Sequence, residues 1–265
     1  MDDLPTLVAE WLDYLRIERA RSENTVATYA RTLRTLPNAP TATREDVETW
    51  WRDRAAHLAP ASRNNELSAV RSFYRWAARF EHRADDPTIR LDQVKVPKRV
   101  SRFVGRTDLE TLLAILPPDL RRAVALGAYG GLRVSEAAAL HWRDVDQESR
   151  RMVVRGKGDK ERHVGLPIGL LDLIAPDTGG YVVTGRDTTM SGHTLGQRVN
   201  AAIRDAGVDA TFHKLRHRFG YKSAEAGIAP TSIARAMGHE SLATTMGYIA
   251  AVDSDLDLIA EAVTR

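Results

Sequence analysis

The helical periodicity that fills the first part of the chain stops between Ala84 and Arg102, and this break constrains the fold more than any other feature of the sequence. Asp86-Pro87 ends a helix, because proline lacks an N–H and pushes the residue before it out of the α region. Lys95-Val96-Pro97-Lys98-Arg99 is extended, basic and interrupted by proline. A chain of 265 residues is long for one hydrophobic core and comfortable for two of roughly 100 to 150 residues each. The expected organisation is therefore a helical lobe over 1–85, a basic linker over 86–102, a second lobe over 103–250 and a tail over 251–265.

The first lobe reads as helices alone. Leu4, Leu7, Val8, Trp11, Leu12 and Leu15 fall at helical spacing, Ser22-Glu23-Asn24-Thr25 has the form of a capped start, and a third helix follows Thr43 with Val47, Trp50 and Trp51 as its apolar side. Ser62 is expected to cap a long helix reaching Phe80. On it Leu67, Val70, Tyr74 and Ala77 form one stripe, and Arg71, Arg75 and Arg79 recur every four residues on a neighbouring face. Such an arginine row suits either a solvated face or a helix laid against a DNA groove. Lys95, Lys98 and Arg99 in the linker suit phosphates in the same way.

The second lobe mixes helices with a hairpin. Thr107-Asp108-Leu109-Glu110 reads as a capping box before Leu112, Leu113, Ile115 and Leu116. Helices follow over 119–128 and 134–140, separated by Gly130-Gly131-Leu132-Arg133. Two strands, 152–156 and 161–166, flank Gly156-Lys157-Gly158-Asp159-Lys160, a tight-turn composition, and Tyr181-Val182-Val183 is a candidate third strand. Helices are expected over 195–206, 212–226, 231–237 and 243–250, and Leu256, Ile259 and Val263 share one face of a tail helix. The fold class is mainly α with a small antiparallel sheet.

Composition excludes several chemistries. The absence of cysteine removes disulfides, thiolate nucleophiles and Cys-based zinc sites. No apolar run reaches the roughly 20 residues that span a bilayer, and Met1-Asp2-Asp3-Leu4-Pro5 is acidic where a signal peptide is basic, so a cytoplasmic location is expected. The net charge of +3 says little by itself, but four of the acids and only one arginine lie after Tyr248, which leaves the body of the chain more basic than the total suggests.

Singly, the polar residues of the second lobe are unremarkable. Arg133 could be a surface residue at a helix start, Lys157 a solvated turn residue, His239 a helix cap and Tyr248 a core aromatic. His213 and His217, four apart, suit a zinc pair, but no Glu of a His-Glu-x-x-His motif accompanies them. Their order carries more: an Arg, a hairpin Lys, His-x-x-Arg, Gly-His and then a Tyr nine residues on.

With those residues in view, the second lobe resembles the catalytic domain of tyrosine recombinases, the phage integrase and Xer family. The resemblance rests on Gly131-Leu132-Arg133-Val134-Ser135-Glu136, Gly156-Lys157-Gly158, His213-Lys214-Leu215-Arg216-His217 and Gly238-His239 followed by Thr244-Thr245-Met246-Gly247-Tyr248. It covers 103–250, and the helical lobe is similar to the family's core-binding domain. The resemblance implies Tyr248 as nucleophile, Arg133 and Arg216 on the phosphate oxygens with His213 and His239 as further donors, Lys157 as general acid, His213 as the group that helps remove the tyrosine proton, and Glu136 as the orienter of a guanidinium. It further implies no metal or nucleotide cofactor, double-stranded DNA as partner, and a monomer that forms a homotetramer on synapsed DNA and exchanges strands through a Holliday junction. Accessory DNA-bending or directionality proteins belong to the same expectation, as does the absence of an arm-binding domain; the tail suits docking either on its own lobe or, as often in the family, on a neighbouring protomer. Two departures are Lys214, where an acid is usual, and Ile249-Ala250-Ala251 after the tyrosine. A type IB topoisomerase and a DNA-binding relative without catalysis are the competing readings.

Overall fold

Proline and small polar residues set most helix starts of the first unit, which spans Met1–Arg99. The computed structural model describes residues 5–96, 103–156, 160–174, 179–186, 188–239 and 241–250. Helix α1 (Thr6–Ile17) buries Val8, Trp11, Leu12 and Leu15. Ser22 caps α2 (Glu23–Arg34) by accepting from the Thr25 amide, and Thr43 with Asp46 forms a reciprocal capping box on α3 (Arg44–His57). Helix α4 (Pro60–Arg79) starts ahead of Ser62, the expected cap: Pro60 already has the helical φ and lacks the amide that a cap would satisfy. Leu67, Val70, Tyr74 and Ala77 are buried. Around them Trp11 stacks on Tyr29 at 5.7 Å and meets Phe73 edge-on at 5.5 Å, while the Tyr74 hydroxyl donates to the Ala39 carbonyl at 2.8 Å. Among the described residues no helix is long and apolar enough to cross a membrane.

The second unit, Val100–Arg265, centres on the buried helix α6 (Pro118–Gly130). Before it, α5 (Arg106–Ile115) begins after Gly105, and the capping box expected at Thr107 does not form, because Glu110 is held by Arg106 at 2.7 Å. Helix α6 ends at Gly131, whose φ of 66° is a left-handed cap, and Arg133 leads directly into the short α7 (Val134–Ala139). A 3₁₀ turn (Trp142–Asp144) precedes β1 (Val145–Asp146), β2 (Arg151–Arg155) and β3 (Glu161–Gly165), an antiparallel sheet in the order β1-β2-β3 with Val153 opposite His163.

The third strand is thus β1 and not Tyr181-Val182-Val183. Val182 and Val183 are buried in the core, but Tyr181 makes only isolated bridges to His141 and Arg186. A turn closes at once through the Gly185 amide onto the Tyr181 carbonyl, so the apolar run is too short to ladder. Helices α8 (Ile168–Ile174), α9 (Gly192–Asp205), α10 (Phe212–Glu225), α11 (Pro230–Met237) and α12 (Leu242–Ile249) complete the unit. α10 packs along α6 closely enough that a methyl at Gly127 would lie 3.1 Å from the Phe212 ring. The tail with Leu256, Ile259 and Val263 lies outside the described residues.

Candidate functional site

A single buried carboxylate, Glu136 on α7, organises the arginines of the second unit. Its Oε2 accepts the Arg133 amide at 2.7 Å and its Oε1 accepts Arg133 Nη1 at 2.9 Å. Arg162 on β3 donates to both oxygens at 2.8 Å, a two-pronged pairing that ties the hairpin to α7. Arg216 Nη1 lies 3.8 Å from Oε2. Burial pushes the Glu136 carboxyl up, but the Arg162 hydrogen bond, the Arg133 amide and the positive charge around it outweigh burial and hold it below the usual carboxylate range.

The same arginines converge on the C-terminal end of α11. The carbonyls of Ala236, Met237 and Gly238 accept from Arg162 Nε at 2.8 Å, Arg216 Nη2 at 2.6 Å and Arg133 Nη2 at 2.5 Å. Arg216 Nη1 takes the Gly131 carbonyl, at the end of α6, at 2.6 Å. Carbonyls that a helix end leaves without intrahelical partners are thereby satisfied by cations, which the helix dipole also favours there. Gly238 permits this through its φ of 64° and its lack of Cβ, since a methyl would lie 3.1 Å from Arg162 Nη1 and 3.3 Å from Arg133 Nη1.

Tyr248 on α12 lies against α10. The ring is buried, at 8% exposure, and its hydroxyl is 2.9 Å from His217 Nδ1. His217 in turn meets the exposed His213 edge-on at 4.2 Å, and His239 stacks near the tyrosine at 6.0 Å while its Nδ1 bonds the Thr245 hydroxyl at 2.8 Å. The hydroxyl contact thus belongs to His217, to which the sequence assigns no role beyond its place in the His213–His217 motif and the candidate zinc pair. Its place one residue after Arg216 and one turn after His213 was the available signal. Arg162 was missed as well; alternation along β3 is what turns it away from Glu161 and His163. Among the described residues no group of three or more His, Asp or Glu side chains could hold a metal ion.

Fit between α10 and α12 is close at Gly220, where a methyl would lie 2.4 Å from Tyr248 Cε2. Gly220→Ala is therefore expected to displace the tyrosine ring and to cost about 1 to 3 kcal/mol of stability. Gly247→Ala, where a methyl meets nothing within 4 Å, is expected to be silent. Thermal unfolding of both variants checks the pair.

Two cavities meet at Arg133. One, of about 700 Å³, is lined by Arg133, His213, Arg216, His217, His239 and Tyr248 among others, and none of its described lining residues is acidic. The other, of about 730 Å³, opens towards the hairpin, with Lys160, Arg162 and Arg235 in its wall. Positive charge and burial act together throughout. His217 and His239 are each drawn down to about 4, first by burial and then by neighbouring cations, and His213 is lowered for the same reasons. Arg216 is drawn down to about 10, chiefly by burial, and stays charged at neutral pH, while burial raises the Tyr248 hydroxyl against the pull of Arg216. Lys157 lies outside the described residues; Lys160, on the same hairpin, is exposed.

In the first unit Arg71 donates to the Leu91 carbonyl and thereby fastens α4 to the segment after it. Arg75 and Arg79 are exposed and share a depression of about 250 Å³ with Arg19, Arg21 and Trp76. Lys95 is exposed, and Lys98 and Arg99 lie outside the described residues.

Both units match known families. Residues 102–254 match the model of the phage integrase family, and residues 8–81 match that of the phage integrase N-terminal SAM-like domain. The tyrosine recombinase XerA of Thermococcus kodakarensis is 33% identical over 201 residues, 71% of this chain and 70% of that protein. Among solved structures, a lambda integrase dimer bound to a COC′ core site superposes with a TM-score of 0.76 at 18% identity, covering 92% of this chain and 76% of that one. A lambda integrase tetramer bound to a Holliday junction gives 0.73 at 18% identity, covering 89% of this chain and 77% of that one. Each of the two units is thus matched by a family model of its own.

Proposed function

The chain belongs to the phage integrase family of tyrosine recombinases, enzymes that cleave and rejoin DNA, and from that premise we propose how its own residues divide the work. Tyr248 attacks a phosphodiester of double-stranded DNA at a specific site, forming a 3′-phosphotyrosyl link and releasing a 5′ hydroxyl. The tyrosyl oxygen forms the new bond to phosphorus as the bond to the 5′ oxygen breaks, so the bond energy is retained and the reverse reaction reseals the strand. The observation that carries this reading is the cavity of about 700 Å³ at the Tyr248 hydroxyl, walled by Arg133, Arg216 and three histidines and free of described acids. Such a cavity receives an anion.

Arg133 and Arg216 neutralise the charge that grows on the non-bridging oxygens, and His213 and His239 add hydrogen bonds there. Both guanidiniums are held before DNA arrives, Arg133 by Glu136 and Gly238 and Arg216 by Gly131 and Met237. A fixed cation needs little reorganisation as the transition state forms. Lys157 protonates the leaving 5′ oxygen, a role that rests on its place in the Gly156-Lys157-Gly158 turn of the family. The chemistry as assigned uses no metal or nucleotide cofactor. Arg75, Arg79 and the linker cations Lys95, Lys98 and Arg99 contact phosphates, and Arg71 acts as an anchor of α4.

Four protomers on two synapsed duplexes exchange strands through a Holliday junction, with the tail of one docked on the next, and accessory DNA-bending proteins set direction. The protomer is a monomer until it meets DNA, and the reaction takes place on cytoplasmic, nucleoid-borne DNA. The test is a nicked suicide substrate that carries the chain's own recombination site. A covalent adduct on the 3′ phosphate and recombinants from a two-site plasmid are expected. Relaxation of any supercoiled plasmid without recombinants would replace this reading by that of a topoisomerase, and the lack of any adduct would replace it by that of a DNA-binding relative.

A further inference from the structure

We infer that His217, rather than His213, is the catalytic base that takes the Tyr248 proton during strand cleavage and returns it during resealing. The inference rests on the proposed attack by Tyr248. Its ground is geometric: the hydroxyl hydrogen bond of Tyr248 runs to His217 Nδ1 at 2.9 Å, within the reach a general base needs, and the two rings lie 5.5 Å apart at a steep angle of 67°. For His217 to accept the phenol hydrogen, its own proton sits on Nε2, so that the Nδ1 lone pair faces the phenol. His213 sits one turn earlier on α10, exposed, with its ring edge against His217, in the position to meet a phosphate oxygen instead.

The proton balance closes without another reactant. As the tyrosyl oxygen bonds to phosphorus, its hydrogen passes to Nδ1 and His217 becomes an imidazolium. The electron pair of the breaking P–O bond stays on the 5′ oxygen, which takes a proton from the general acid on the hairpin. In resealing, the 5′ hydroxyl attacks phosphorus and returns its proton to the hairpin group that acted as acid, while the departing tyrosyl oxygen recovers its proton from His217.

The surroundings explain why the base is quiet until DNA is bound. His213 and Arg216 on α10, His239 before α12 and Tyr248 on α12 face His217, and Arg133 stands in the wall of the same cavity. In the free protein, burial first and then His213 and Arg216 hold His217 neutral and a poor proton acceptor. A phosphate seated between Arg133 and Arg216 cancels much of that positive field and so raises the basicity of His217 when the proton has to move. Substrate binding then switches on the base.

Single-turnover cleavage of the nicked suicide substrate, with ordinary phosphate or with sulfur replacing the bridging 5′ oxygen at the scissile bond, decides the matter. The sulfur leaves without a proton, so it relieves loss of the acid and not loss of the base. His217→Asn keeps a hydrogen-bonding side chain but cannot carry the proton, and it is expected to slow adduct formation by about 10²- to 10³-fold on both substrates. DNA affinity should be unchanged. Added imidazole should partly restore His217→Gly, a signature that a purely structural role does not give. His213→Asn should slow cleavage less than His217→Asn does. Adduct formation by His217→Asn at the rate of the parent, recovery of its defect by the sulfur substrate, or failure of imidazole to raise the rate of His217→Gly would each overturn the assignment. Failure of the parent protein to form any adduct would instead overturn the proposed attack by Tyr248 itself.

Discussion

Tyr248→Phe will bind its DNA site as the parent does and form no covalent adduct. The substitution removes one oxygen and leaves the ring, which fills the space beside Gly220 and packs near His217 and His239. The stability cost is therefore limited to one hydrogen bond, about 1 kcal/mol. The chemical cost is complete, because among the described residues no other side chain presents a hydroxyl hydrogen-bonded to His217. Denaturing electrophoresis of the trapped suicide substrate reads the adduct, and a mobility shift reads binding. An adduct that persists in the variant would move the nucleophile to another residue.

Removing the carboxylate of Glu136 gives the largest loss of stability. Glu136→Ala leaves Arg162 with its two-pronged partner gone and deprives Arg133 of its carboxylate partner, with the bond to the Gly238 carbonyl remaining. Breaking a buried pair in this way costs about 3 to 5 kcal/mol, which for a unit of this size lowers Tm by roughly 10 °C. Activity should fall with it, since Arg133 loses its orienter. The sign of the pH dependence follows from the carboxyl being held below its ordinary value in the folded protein. The stabilisation is present in full above the unfolded carboxylate range and is lost as pH falls through the lower folded value, so urea unfolding of the parent should weaken below about pH 4. Glu136→Gln should flatten that acid limb. A variant as stable as the parent, or an acid limb that survives the change to Gln, would show that the arginines are held by backbone carbonyls alone.

The parts of the fold that could be read from the sequence were those written locally. Helices with an apolar stripe and a polar cap, such as α2 after Ser22 and α3 after Thr43, follow from neighbours within one turn. Where two local signals competed, the covalent one won, as when Pro60 started α4 ahead of Ser62. The pairing of β1 with β2, in place of a strand at Tyr181, depends on contacts between segments and on how soon a turn closes. The same division holds for the site. Arg133, Arg216, His213, His239 and Tyr248 were identified by their motifs, and the structure gathers them round one cavity. The partner of the Tyr248 hydroxyl could not be found that way: His213 and His217 differ by one turn of the same helix, and only the approach of α12 chooses between them. Arg162 stayed hidden for a similar reason, since its partners are the Glu136 carboxylate and a helix end far away in the chain.

The arginines held at the end of α11 have a consequence for how such a protein can change over generations. Arg216 is anchored by the carbonyls of Gly131 and Met237, and Arg133 and Arg162 by those of Gly238 and Ala236. A carbonyl is present whatever side chain its residue carries. Drift in the side chains at these positions can therefore erode a guanidinium's seat only by bending the main chain, and the left-handed glycines at 131 and 238 are where such bending would begin. Mutational tolerance in this site should be sharply divided: narrow at Glu136, Gly131 and Gly238, and broad at Ala236, whose contribution to the seat is made by an atom that substitution does not touch.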